Sequence, residues 1–227
     1  MKKTKKIFYT EAAYVLGIIL LALATALTQA ADFGLSPLAA PSYILHRKLS
    51  EYLSFFTFGR TEILLEIILL FLTSIITRRF KKKFLFSFVS AAFYGVVLDC
   101  WAIILRLIPA EHIVTRGILF GLGLLICSAA VALFFRTYLP PTAYEIVVKE
   151  ISDKFKLDTG KFKTVFDCLC LAVSVAASLL FFGAIKGMGI GTVVSALVNG
   201  FFIGKFSKFY DEMFEFKNRF QLDKYLT

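Results

Sequence analysis

The sequence predicts an all-α membrane protein of six transmembrane helices, arranged as two inverted three-span repeats. Three observations lead there. The first is composition: 58% of the 227 residues are apolar and 26 are Phe, with a mean hydropathy of +0.76, more apolar surface than a soluble domain of this length can hide. The second is an internal repetition. Phe88-Val89-Ser90-Ala91-Ala92-Phe93-Tyr94-Gly95 recurs as Val193-Val194-Ser195-Ala196-Leu197-Val198-Asn199-Gly200, and Leu35-Ser36-Pro37-Leu38-Ala39 recurs as Leu139-Pro140-Pro141-Thr142-Ala143, both at an offset of about 104 residues. The third is charge: the net +10 lies between apolar runs. That distribution suits a bilayer with anionic headgroups as partner and argues against nucleic acid.

The elements follow in chain order from the rule that a span needs roughly 20 mostly apolar residues. Lys2, Lys3, Lys5 and Lys6 precede the first run, and Ala30-Ala31-Asp32 is only a faint cleavage site, so residues 12–31 read as an uncleaved span. A loop with Pro37 follows. His46-Arg47-Lys48 and Glu51 then make an amphipathic or partly inserted helix the natural reading before 58. Further spans fall at 61–76, 84–108 and 113–135. After Pro141, Tyr144, Val147, Val148, Ile151 and Phe155 share one helical face and Lys149, Glu150, Asp153 and Lys154 the other, which is interfacial spacing. The last spans are 164–185 and 189–206, joined by the glycine turn Gly187-Met188-Gly189. That turn lacks the strand and Lys-Thr of a nucleotide loop.

Each half thus reads as span, proline-containing break, interfacial or re-entrant helix, span, span. The first repeat is 1–110, the second 111–206, and 207–227 is a basic, aromatic tail expected as an interfacial helix. Three spans per half make the halves antiparallel. Gly17 then matches Gly121, Gly59-Arg60 matches Gly160-Lys161, and Glu66 falls opposite Asp167. Clusters around Arg78-Arg79 and Lys81, around Lys154 and Lys163, and from Lys205 to Lys224 share one side with the N-terminal lysines. The positive-inside rule makes that side the cytoplasm, so a cell-membrane protein with both termini cytoplasmic is expected.

Asp32-Phe33-Gly34-Leu35-Ser36-Pro37 and the stretch from Lys186-Gly187-Met188-Gly189-Ile190-Gly191 to Asn199-Gly200 resemble the YczE/YyaS/YitT-like bacterial integral membrane proteins. The likeness is to the YczE type more than to the longer YitT branch with its extra soluble domain. It implies a membrane role and inverted halves, and names no substrate. Two departures stand out: Leu38-Ala39 follows Ser36-Pro37 where the family tends to place Trp-Asp, and Pro140-Pro141-Thr142 stands where it tends to place Gly-Pro-Asp.

Ionisable residues inside spans are the functional candidates, because each costs several kcal/mol unless paired, hydrated or protonated. Glu66, one turn after Glu62, and Asp167 at the equivalent place are expected near a central axis, where a carboxylate pair could bind a cation or carry protons. Asp99 lies deep in its span with Arg106 two turns on, and a structural hydrogen bond or ion pair to a neighbouring span is the competing reading. The proline breaks supply Ser36, Pro37, Pro141, Thr142, Tyr144 and Glu145, with Ser42 nearby. Two helix starts aimed inward there would make a slightly anion-favouring site. Asn199 is a polar handle on a stripe with Gly191, Ser195 and Gly204 suited to helix packing. Enzyme chemistry is not expected: Cys168-x-Cys170 has the wrong interval for a redox motif, Cys100 and Cys127 are isolated, and His46 and His112 give no metal-ligand spacing. No cofactor or metal is called for. The leading expectation is a small transporter or permease of a small polar solute. The alternatives are a substrate-binding membrane subunit with an energising partner, or a non-transporting accessory protein, with a homodimer or a partner membrane protein open in each case.

Overall fold

A computed structural model of the chain describes residues 5–78, 82–108, 111–139, 142–157 and 159–220. Lys2, Lys3, Arg79, Lys81, Pro140, Pro141 and Lys224 lie outside the described residues, as does the side chain of Glu145. In chain order the elements are β1 (Lys6–Tyr9), α1 (Thr10–Ala31), α2 (Ala40–Leu49), α3 (Phe58–Thr77), α4 (Lys82–Leu105), α5 (Ile113–Phe134), α6 (Ala143–Phe155), α7 (Thr159–Phe182), α8 (Ile190–Met213) and β2 (Phe214–Lys217). The helical order long, short, long, long occurs twice.

Five helical segments among the described residues are long and apolar enough to cross a bilayer: Thr10–Ala31, Phe86–Leu105, Ile113–Phe134, Phe162–Phe182 and Ile190–Met213. The chain is therefore an all-α, multi-pass membrane protein. The sixth expected span, at 61–76, is the 20-residue helix α3. It is not among the five because Arg60, Glu62 and Glu66 interrupt its apolar run. The span expected at 189–206 runs on to Met213, because Tyr210 packs back toward α5 and reaches the Ala129 carbonyl at 3.4 Å. The tail is accordingly not a separate interfacial helix. Its described residues, up to 220, finish α8 and then form β2, which pairs in parallel with β1 in the register Lys6 to Phe214 and Tyr9 to Lys217. Glu11 fastens this end, accepting from the Phe220 N–H at 2.8 Å and the Tyr138 hydroxyl at 2.8 Å.

The core is built on α1, which packs along α5 and α4. Small residues set the α1–α5 distance, since a Cβ on Gly123 would meet Thr28 Cγ2 at 2.8 Å and the Ala24 carbonyl at 3.1 Å. Tyr14, Ile18, Leu27, Leu98 and Phe134 fill the space around this crossing. The Tyr14 hydroxyl is buried but donates to Ser90 Oγ at 2.7 Å, so no polar atom is stranded there. Arg116 holds the C-terminus of α1, donating from Nε to the Ala31 carbonyl at 2.7 Å and pairing with Asp32 at 3.2 Å. A cation there meets the carbonyl end of the helix.

The two short helices cross between the halves. α2 packs on α3 and α7, and α6 packs on α7 and α3. Tyr144, Val147 and Val148 of α6 bury against Phe166, as the apolar face predicts, while Phe155 stays exposed. Glu150, placed by its spacing on the polar face, is buried instead, because α6 is covered on two sides rather than lying on a surface.

The halves differ in how their last two helices pack. α3 lies close along α4, where a Cβ on Gly59 would come within 1.9 Å of the Gly95 carbonyl. The corresponding pair, α7 and α8, scarcely touch. Gly200 and Gly204 face open space, so of the small-residue stripe expected to pack α8, Gly191 meets Phe33 and Phe120 and Asn199 bonds to Ser128 of α5, while Gly204 packs against nothing.

Candidate functional site

The two stretches that carry the family resemblance lie against each other. The Leu35 N–H donates to the Gly187 carbonyl at 2.9 Å, and the Gly191 N–H donates to the Phe33 carbonyl at 2.8 Å. Gly34 sits at φ 122°, with Thr192 Oγ1 only 2.5 Å from where a Cβ would stand, so both backbone sign and space exclude a side chain. This clasp fixes the loop that delivers Ser36 and Pro37 to the protein interior.

A cavity of about 1100 Å³ lies between the halves. Seven of the residues singled out in the sequence line it: Glu66, Asp167, Ser36, Pro37, Thr142, Tyr144 and Asn199. Glu62 and Tyr94 line it too. The N-terminal ends of both short helices are in its wall, α2 through the 36–39 turn and α6 through Thr142 and Tyr144. Leu38 packs into the same cluster as Tyr144 and Val147, so the two helix starts approach each other.

At that approach stand two carboxylates. Glu62 and Glu66 are one helical turn apart on the inner face of α3, only 3% and 2% exposed. The Tyr144 hydroxyl donates to Glu62 Oε1 at 3.2 Å, and the Ser42 hydroxyl is also beside Glu62. The Ala143 N–H, at the first turn of α6, meets the Glu66 carboxylate. The positive end of α6 thus faces one of the protein's own acids, which disfavours a second anion there. Oε2 of each glutamate is buried without a hydrogen-bond partner. Glu62 was visible in the sequence as the residue four before Glu66 within an apolar run, which puts both on one face; only the fold turns that face inward.

Around the pair the walls are linked by polar contacts between helices. Thr25 of α1 and Tyr94 of α4 share a hydrogen bond at 2.9 Å, and Ser128 of α5 donates to Asn199 Oδ1 of α8 at 2.5 Å. Asp167 is at the margin, with Lys163 Nζ at 3.8 Å on its own helix. It is not a partner of Glu66, and the symmetric carboxylate pair expected from the repeat is replaced by two neighbours on α3.

Asp99 does not belong to this cavity. It accepts from the Gly59 N–H and from Thr57 Oγ1, at the start of α3, so its partners are the backbone and hydroxyl of a helix cap rather than Arg106. Glu145 falls in the first turn of α6. A second, more open cleft of about 670 Å³ lies near Arg47, Arg106 and Lys186.

A multi-pass helical protein with two short helices meeting at buried acids is the class that this fold defines. The chain belongs to the family of unknown function DUF6198, whose model matches residues 8–208. It is similar to the uncharacterized protein YyaS of Bacillus subtilis (strain 168), with 28% identity over 207 residues, 91% of this chain and 96% of that protein. The likeness agrees with the YczE/YyaS/YitT resemblance drawn from the two motifs. No solved structure matches the chain.

Proposed function

We propose that the protein is a small transporter or permease of a small polar solute, housed in the cell membrane with both termini in the cytoplasm, and that it carries out no covalent chemistry. The observation that carries this reading is the buried Glu62–Glu66 pair opening on a cavity between the halves. Two buried acids are costly in a purely structural helix. Their retention makes sense where a solute meets them. The repeated helix order, with α2 and α6 each contacting both halves, supports an inverted-repeat design in which α3 is the sixth span and the halves rock about the site. The broad exposed faces of α7 and α8 favour, as a second reading, a binding subunit that docks on an energising membrane partner or on its own copy.

The test is thermal stability of the purified protein against a metabolite library, followed by solute uptake into proteoliposomes. A ligand at about 100 times its Kd adds roughly 2.7 kcal/mol. Uptake by the protein alone supports the transporter; saturable binding without uptake supports the binding subunit; neither leaves an accessory protein.

A further inference from the structure

Resting on the transporter reading, the geometry points to the charge class of the solute: we propose that it is an organic cation, an ammonium-bearing molecule held by Glu62 and Glu66 within an aromatic-walled cavity. The carboxylates are the first ground. Both side chains are more than nine-tenths buried, both line the cavity, and each presents one oxygen without a partner. No ion pair between either glutamate and a described lysine, arginine or histidine side chain is present. An ammonium group supplies the missing donors and the missing charge together.

The alternatives fit less well. An anion would need the helix starts, and the start of α6 already faces the Glu66 carboxylate while the Tyr144 hydroxyl is given to Glu62. Of the two lysines in the cavity lining, Lys163 is paired with Asp167 and Lys149 is turned out to the exposed side of α6. A bare divalent ion asks for six or more oxygens at close range, and no group of three or more metal-binding side chains occurs among the described residues. The cavity is also far larger than an ion requires. Tyr94, Tyr144 and Phe134 contribute to its wall, and aromatic rings attract an alkylammonium where they cannot replace the hydration of a small metal ion.

The experiment uses the full chain in detergent, wild type and Glu62→Gln and Glu66→Gln, melted in saturating phenethylammonium chloride, a primary ammonium with three N–H donors. Sodium chloride at equal ionic strength and sodium benzoate are the comparisons. The expected result is a rise in Tm on the order of 5 °C with an organic ammonium in the wild type. Neither Gln variant shows it, and benzoate gives none. Gln is near-isosteric and removes a buried charge; should either variant fail to fold, Tyr144→Phe keeps both acids and is expected to keep the shift with a Kd raised about tenfold. An equal shift in the Gln variants, a shift with benzoate alone, or no ammonium shift in the wild type overturns the assignment. Proteoliposome uptake separates the two claims. Flux of a neutral or anionic solute without ammonium binding sinks the cation and spares the transporter, and ammonium binding without any flux does the reverse.

Discussion

The Asp99 carboxylate on α4 accepts the Gly59 N–H on α3 at 2.8 Å, so one helix carries the N-terminal cap of its neighbour. Thr57 Oγ1 donates to the same carboxylate at 2.5 Å and accepts from the Arg60 N–H at 3.3 Å, which completes the cap. Asp99→Ala removes two hydrogen bonds to a charged acceptor and is expected to cost about 2 kcal/mol. Asp99→Asn keeps an acceptor and should cost less. Equilibrium denaturation checks the order, and solute binding should survive both changes, because the cavity lies elsewhere.

The close crossing of α3 on α4 makes a second contrast. Gly59→Ala places a methyl 1.9 Å from the Gly95 carbonyl, and backbone cannot yield as a side-chain tip can. A loss of about 3 kcal/mol is expected. Gly200→Ala on α8 meets nothing within 4 Å and should gain about 0.5 kcal/mol from helix propensity. Comparing the two melting temperatures tests whether the second crossing is open.

His46 of α2 sits outside the spans, with Nδ1 on the Phe56 carbonyl at 2.7 Å and its ring stacked on Phe58. Burial pushes the imidazole below its ordinary value of 6.5, reinforced by Arg47 and Arg106 and opposed by the Phe56 bond and by Asp99. Above the unfolded value both states are neutral and the full stability is present. As pH falls, the unfolded chain takes the proton first, so stability drops until the lower, folded value is passed. Denaturation midpoints between about pH 5 and pH 8 should decline on the acid side. His46→Gln should flatten the part of that decline due to this ring.

Glu11 gathers the chain's final described residues, accepting from the Arg219 N–H at 3.1 Å as well as from Phe220 and Tyr138. Glu11→Ala leaves two strand-end amides without their acceptor. Trypsin should then cut at Lys217 and Arg219 about tenfold faster, while the helical core keeps its melting temperature within about 2 °C.

Much of this architecture is written in local pattern. Apolar runs of span length locate six long helices to within a few residues, apart from the extended end of α8, and the spacing of Tyr144, Val147 and Val148 gives α6 its buried face. Glu66, Tyr144, Asn199 and the Ser36-Pro37 turn could be chosen because polar groups and breaks inside apolar sequence are costly. What sequence pattern does not carry is which neighbour satisfies them. Asp99 looked like a buried charge and is a cap, because Thr57 and Gly59 are brought to it by tertiary packing. Glu62 and Glu66 face the cavity because α6 covers α3. The parallel pairing of β1 with β2 joins segments about 208 residues apart, a separation no short-range periodicity reports.

The loose contact between α7 and α8 bears on how the protein is handled outside its membrane. The cavity wall passes from one helix to the other across that gap, through Asp167 on one side and Asn199 on the other. A detergent tail that slips between them stands in the space that the proposed solute would fill, so under the transporter reading the extraction medium and the solute compete for a single compartment. Bulky-ringed amphiphiles, too wide to enter, are the surfactants in which ligand affinity should be measured.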